Sequence, residues 1–163
     1  MRRYVLSTVA AIAMVALAAG SALAAPTIHN LDISFSGTTV SATADVSGLG
    51  STKPATAQLF VLGTAEYNCV NNGGTVVPGQ NPQEATATSP VQDLGNTTNN
   101  GRGVVDVEAT LSAPQTINAK TAGCPNGKTW TANLVSLEVT GARLVLKQQG
   151  QTFFDQTFDN PNN

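Results

Sequence analysis

Few side chains in this 163-residue chain can do covalent or metal chemistry. There is one histidine, His29, with two cysteines, Cys69 and Cys124, one tryptophan and ten carboxylates. A Ser-His-Asp triad would have to run through His29, close to the start of the folded chain, where order is usually poor. A four-ligand thiolate metal site would need more than two cysteines and one histidine. A catalytic thiol would again depend on His29 as its base. Glycoside hydrolysis needs two carboxylates facing each other across a cleft. The candidates are Asp45, Glu66, Glu84, Asp106 and Glu108. Asp106 and Glu108 stand two residues apart and so share one strand face, which a solvated sheet surface explains as well as catalysis does. No G-x-S-x-G, H-E-x-x-H, P-loop or EF-hand pattern occurs. Asp93 and the asparagine-rich stretch after it offer oxygen atoms, but their spacing matches no calcium loop. The expectation is a protein that is not an enzyme and carries neither metal nor cofactor.

Recognition is the other use to which these residues can be put. Tyr67 and Trp130 each lie near a cysteine in sequence. A bridge between the cysteines would bring both aromatics to one end of the domain. The polar, turn-rich segment Asn71–Pro82 follows Cys69 directly and is stiffened by Pro78 and Pro82. Tyr67, Asn71, Asn72 and Trp130 are therefore the candidate recognition residues, with packing around the bridge as the plainer account of the two rings. A second loop, Gly95–Gly101, is flexible by composition and contains the sequon Asn96-Thr97-Thr98.

The first residues have a separate explanation. Met1-Arg2-Arg3 is basic, Val5–Ala19 is apolar, and Ala22-Leu23-Ala24 has the small-residue spacing of a cleavage site. This is the plan of a secretory signal peptide over residues 1–24, with 25–163 as one mature domain. The Arg2-Arg3 pair also fits a twin-arginine signal, although the Sec route accounts for it more simply. Cleavage would remove two of the eight basic residues and no acidic one, moving the formal charge from −2 to −4. That balance gives no electrostatic footprint for nucleic acid, and no later apolar segment is long enough for membrane insertion. The localisation expected is secreted or extracellular. In that oxidising setting, an even pair of cysteines reads as one Cys69–Cys124 disulfide.

After residue 25 the chain alternates apolar and polar residues with period two. Leu31, Ile33 and Phe35 form one such row; Val40, Ala42, Ala44 and Val46 form the next. Further strands are read at Ala57–Leu62, weakly at Glu84–Gln92, at Val105–Leu111, at Val135–Val139, and at Ala142–Gln148 with Thr152–Phe158 as a closing hairpin across Gln149-Gly150. Strand parity puts Phe154 and Phe158 on one face and Phe153 on the other. No stretch sustains a helical stripe. About eight strands joined by Gly, Pro and Asn turns predict an all-β fold, a single antiparallel β-sandwich of Ig-like architecture. The antibody-type Cys-Trp-Cys order is absent, because Trp130 follows the second cysteine.

Three short motifs carry a resemblance. They are Tyr67-x-Cys69-Val70-Asn71-x-Gly73-Gly74, the turn Cys124-Pro125-x-Gly127, and the strand Leu134-Val135-Ser136-Leu137-Glu138-Val139. With these the chain resembles a group of small secreted, uncharacterised bacterial proteins, over most of the mature length. The resemblance implies export, the bridge and a β fold, and brings no activity with it. The function expected from all of this is a non-catalytic binding or structural role at or outside the cell envelope, with a cell-wall or polysaccharide component as partner. The alternative is a secreted inhibitor, or a module presenting the Asn71–Pro82 loop to another secreted protein. A carboxylate hydrolase comes last.

Overall fold

A computed structural model describes residues 25–50, 54–94, 101–125 and 129–163. The signal segment read at residues 1–24 and the Asn96-Thr97-Thr98 sequon lie outside the described residues, as does Gly127 of the late turn. The described chain is all β, with ten strands, every pairing antiparallel.

Strands β1 (Thr27–Ser36), β2 (Thr39–Ser47) and β7 (Gly103–Thr110) form a three-stranded sheet in the order β1-β2-β7. The larger sheet is built on two long strands, β3 (Ala55–Asn71) and β9 (Trp130–Gln148), of 17 and 19 residues. On the β9 side it is flanked by β10 (Gln151–Asp159) and β8 (Thr116–Ile117). On the β3 side lie β4 (Val76–Pro78), β5 (Gln83–Thr88) and β6 (Gln92–Asp93).

The alternating pattern does what its period requires. Val40, Ala42, Ala44 and Val46 of β2 are buried, while Thr43 and Asp45 between them are exposed. Val105, Val107 and Ala109 face the same core from β7, and Ala55, Ala57, Leu59 and Val61 meet them from β3, with Ala142, Leu144 and Leu146 from β9. Burying these two inner faces against each other is the main source of stability in a sandwich of this kind. Gln149 and Gly150 both have positive φ, 52° and 78°, as a two-residue type I′ hairpin demands. The closing hairpin is therefore where the sequence places it.

Two expectations need correction. The segments Val135–Val139 and Ala142–Gln148 are one strand, because β9 accommodates the irregularity between them as bulges. Thr140 has no partner on β3, since Leu62 pairs with Gly141 and Gly63 with Val139. Val135 is skipped in the same way between Ser136 and Leu134. A bulge adds a residue without ending the ladder, so hydrophobic parity breaks while the strand continues. The short β4, β6 and β8 restore the count to ten. Strand parity also fails at Phe153, where β10 has its own bulge. Phe153, Phe154 and Phe158 are all half-buried against the main core, so Phe153 is not turned away from it.

The three-stranded sheet covers only one half of the β3–β9 ribbon. Beyond Gly63 the ribbon has a smaller core of its own, made by Ala65, Tyr67, Ala122 and Ala132 with Ala113, Ile117, Cys124 and Leu134 against them. The segment 111–125 supplies this second cover. It is held by β8 pairing with Asn133 and Ala132, and by the Leu134 amide donating to the Gln115 carbonyl at 2.8 Å.

Candidate functional site

The far end of the ribbon is tied together by the Cys69–Cys124 disulfide, as its sequence setting predicts. Cys69 lies on the inward face of β3 and is fully buried. Cys124 ends a tight run of turns in which Ala122 N donates to Asn118 O, Gly123 N to Lys120 O and Cys124 N to Ala119 O. Gly123 takes φ +70°, a conformation costly for any residue with a Cβ.

The Asn71–Pro82 segment is a pinned hairpin. Its turn is closed by Asn71, whose Oδ1 accepts from both Gly73 N and Thr75 N at 2.9 Å. Such local side-chain bonding is the ordinary reason for asparagine at a turn. The returning strand β4 pairs with Asn68–Val70. Gly79 N then donates to Tyr67 O at 2.7 Å. A Cβ at Gly79 would stand 2.6 Å from that oxygen and 2.8 Å from Ala122 O, so glycine is required there. Asn81 N donates to Ala122 O, and the Asn81 and Gln83 amides both donate to Thr121 O. One covalent bond and these polar contacts fix the hairpin to the 118–125 turn.

The four candidate recognition residues gather at this end in different roles. Asn71 and Trp130 are cross-strand partners at the open end of the ribbon, on the same face as Cys69 and Ala132. Both are half-buried, and Asn72 is exposed at the tip of the turn. Tyr67 lies on that face too, but inside the smaller core with 4% of its surface exposed. Its hydroxyl donates to the Pro114 carbonyl at 3.0 Å. Tyr67 therefore packs beneath the bridge, and the surface a partner would meet is made by Trp130, Asn72 and the hairpin. Tyr67→Phe removes the hydroxyl that donates to the Pro114 carbonyl, and a loss of about 1 kcal/mol in urea unfolding is expected. A variant as stable as the parent would show that water replaces the hydroxyl.

On the opposite face, the Val135 bulge turns its side chain outward to 58% exposure. Val135, Pro78, Pro82 and Glu66 border a shallow groove of about 150 Å³. Sequence reading misses this groove, because only the bulge, invisible to a period-two pattern, exposes that valine.

All five carboxylates considered for hydrolysis are exposed. Asp45, Asp106 and Glu108 lie on the outer face of the three-stranded sheet; Glu66 and Glu84 belong to the larger sheet. Glu66 accepts a hydrogen bond from the Ser136 hydroxyl. Among the described residues no group of three or more His, Cys, Asp or Glu side chains is placed to hold a metal ion. One carboxylate with a shifted pKa is Asp155, held below its usual range chiefly by the hydrogen bonds from the Arg143 guanidinium at 2.5–2.6 Å. That pair is exposed and belongs to the β9–β10 surface rather than to a cleft.

His29 is placed differently from the sequence expectation. It is fixed within β1 opposite Asp45, and its Nε2 is hydrogen-bonded to Ser47 Oγ at 3.1 Å. A nucleophile–base pair has this spacing, but the Asp45 carboxylate that would orient the imidazole is bonded to the Asn30 amide instead. No family model, curated protein or solved structure matches the chain.

Proposed function

We propose that this chain is a non-catalytic, secreted binding module acting at or outside the cell envelope, and that it recognises a cell-wall or polysaccharide component through the pinned end of the β3–β9 ribbon. The observation that carries the reading is the placement of Trp130. It is half-exposed at the start of β9, paired with Asn71, where the hairpin locked by a disulfide and backbone hydrogen bonds begins. An aromatic ring held on a rigid edge offers contact area at little entropic cost, which favours binding over catalysis. The disulfide also suits an oxidising compartment, which supports secretion.

A second reading has its own support. The groove bordered by Val135, Pro78, Pro82 and Glu66 gives the hairpin a mixed apolar and polar side of the kind that docks on another protein, as a secreted inhibitor would.

The test is co-sedimentation of the oxidised protein with cell-wall and polysaccharide preparations, beside a Trp130→Ala variant whose thermal unfolding is checked in parallel. The parent is expected in the pellet, with retention of the folded variant reduced about tenfold or more, as for a buried aromatic anchor. Equal retention of both would remove Trp130 from the binding edge. No retention of the parent would overturn envelope binding and put the inhibitor reading first.

A further inference from the structure

At the other end of β3, far from the disulfide, one end of the three-stranded sheet bounds a cleft of about 540 Å³. That volume is in the range of small-molecule sites. Leu94, which bonds through its amide to Ala55 at the start of β3, forms its apolar wall together with Val46 and Val104. The polar lining is His29, Asp45, Ser47 and Arg102.

Only His29 and Ser47 satisfy one another, Nε2 to Oγ at 3.1 Å. Arg102 makes no ion pair or hydrogen bond among the described residues, although Asp45 lines the same cleft. Asp45 Oδ2 instead accepts from the Asn30 amide at 2.8 Å, which leaves Oδ1 able to accept from a ligand. Asn30 reaches it from a β1 bulge in which its φ is +50°. A non-glycine residue in the left-handed region costs free energy that other contacts must offset, and such positions gather at binding sites. The His29–Ser47 pair adds a hydroxyl and an imidazole, each able to give or take a hydrogen bond.

We propose that this cleft binds a hexuronate, with the sugar carboxylate on Arg102, ring hydroxyls on Asp45 and on the His29–Ser47 pair, and the C–H face of the ring on Val104. Two simpler ligand classes leave a mismatch. A neutral sugar would leave the guanidinium unpartnered. A simple anion such as acetate would meet the Asp45 charge with no hydroxyl to offer it. A hexuronate supplies both kinds of group on one ring. The site is separate from the Trp130 edge, so the two proposals stand or fall separately.

Chemical-shift titrations of the oxidised protein with D-glucuronate, D-galacturonate, D-glucose and acetate test it, alongside the Arg102→Gln variant. Arg102 is exposed and its side chain bonds to none of the described residues, so the variant keeps the fold, as an unchanged spectrum away from the cleft would verify. Saturable shifts at His29, Ser47 and Arg102 with one of the uronates are expected. Affinity should be at least about tenfold weaker for glucose, for acetate and for uronate on the variant, the usual worth of a charge-assisted pair. Absence of saturable shifts with both uronates overturns the proposal, and so does equal affinity for glucose or acetate, or an unaffected variant.

Discussion

Replacing Cys69 and Cys124 together with alanine is expected to lower the unfolding free energy by about 4 kcal/mol. The bridge spans a sequence separation of 55 residues, and closing a loop of that length removes roughly this much chain entropy from the unfolded state. Set against the 5–15 kcal/mol typical of a whole domain, the effect is large. Loss of sulfur from the fully buried Cys69 site adds a small cavity cost in the same direction. The polar contacts of Asn81 and Gln83 with the 118–125 turn cannot compensate, since each is exposed and contributes about 1 kcal/mol at most.

The loss should also be uneven along the chain. The ribbon end has its own small core, so it can open while the sandwich around Leu59 and Leu144 stays closed. Hydrogen exchange in the double variant should therefore accelerate first at Gly79, Asn81 and Ala122, whose amides bond across the pinned hairpin and the turn beside it. Amides of the central β3–β9 ladder should follow only with global unfolding. A loss under about 1 kcal/mol in denaturant unfolding would mean that backbone contacts alone hold the hairpin. The result bears on the proposed binding role too, because Trp130 pairs with Asn71 at the ribbon end that loosens.

What the sequence makes legible is what strict alternation encodes. Val40–Val46 and Val105–Ala109 announce both their strands and their buried faces, and the cysteine pair announces the tie at the ribbon end. The common neighbourhood of Tyr67 and Trp130 follows from that tie. Their exposures do not. Tyr67 is inside because the 111–125 segment folds beneath it, a long-range event with no local pattern. The bulges at Thr140, Val135, Phe153 and Asn30 defeat a parity argument for the same reason. Each adds one residue whose presence is decided by the partner strand. The groove at Val135 and the cleft beside Asn30 both arise at such positions, so the candidate surfaces are less legible than the core.

The second large effect is expected at Gly63, where the two halves of the ribbon meet. Gly63→Ala should destabilise by about 3 kcal/mol, at the upper end of ordinary overpacking. A Cβ built there falls 2.3 Å from the backbone oxygen of Glu138 and 2.3 Å from Leu111 Cδ2. The leucine methyl can rotate away, but the Glu138 carbonyl belongs to β9 directly beside the Thr140 bulge and moves only if the ladder moves. Two weaker terms can be weighed against this. Alanine narrows the unfolded ensemble and returns about 0.4–1 kcal/mol. Backbone strain does not enter, since Gly63 is outside the left-handed region. Gly74→Ala separates the causes: φ there is +79° with nothing within 4 Å of the new carbon, so its cost is conformational alone, about 1–2 kcal/mol. Parallel urea unfolding should rank Gly63→Ala below Gly74→Ala in stability. The reverse order would show that β9 yields at its bulge, and that the ribbon bends there instead of transmitting the strain to the sandwich core.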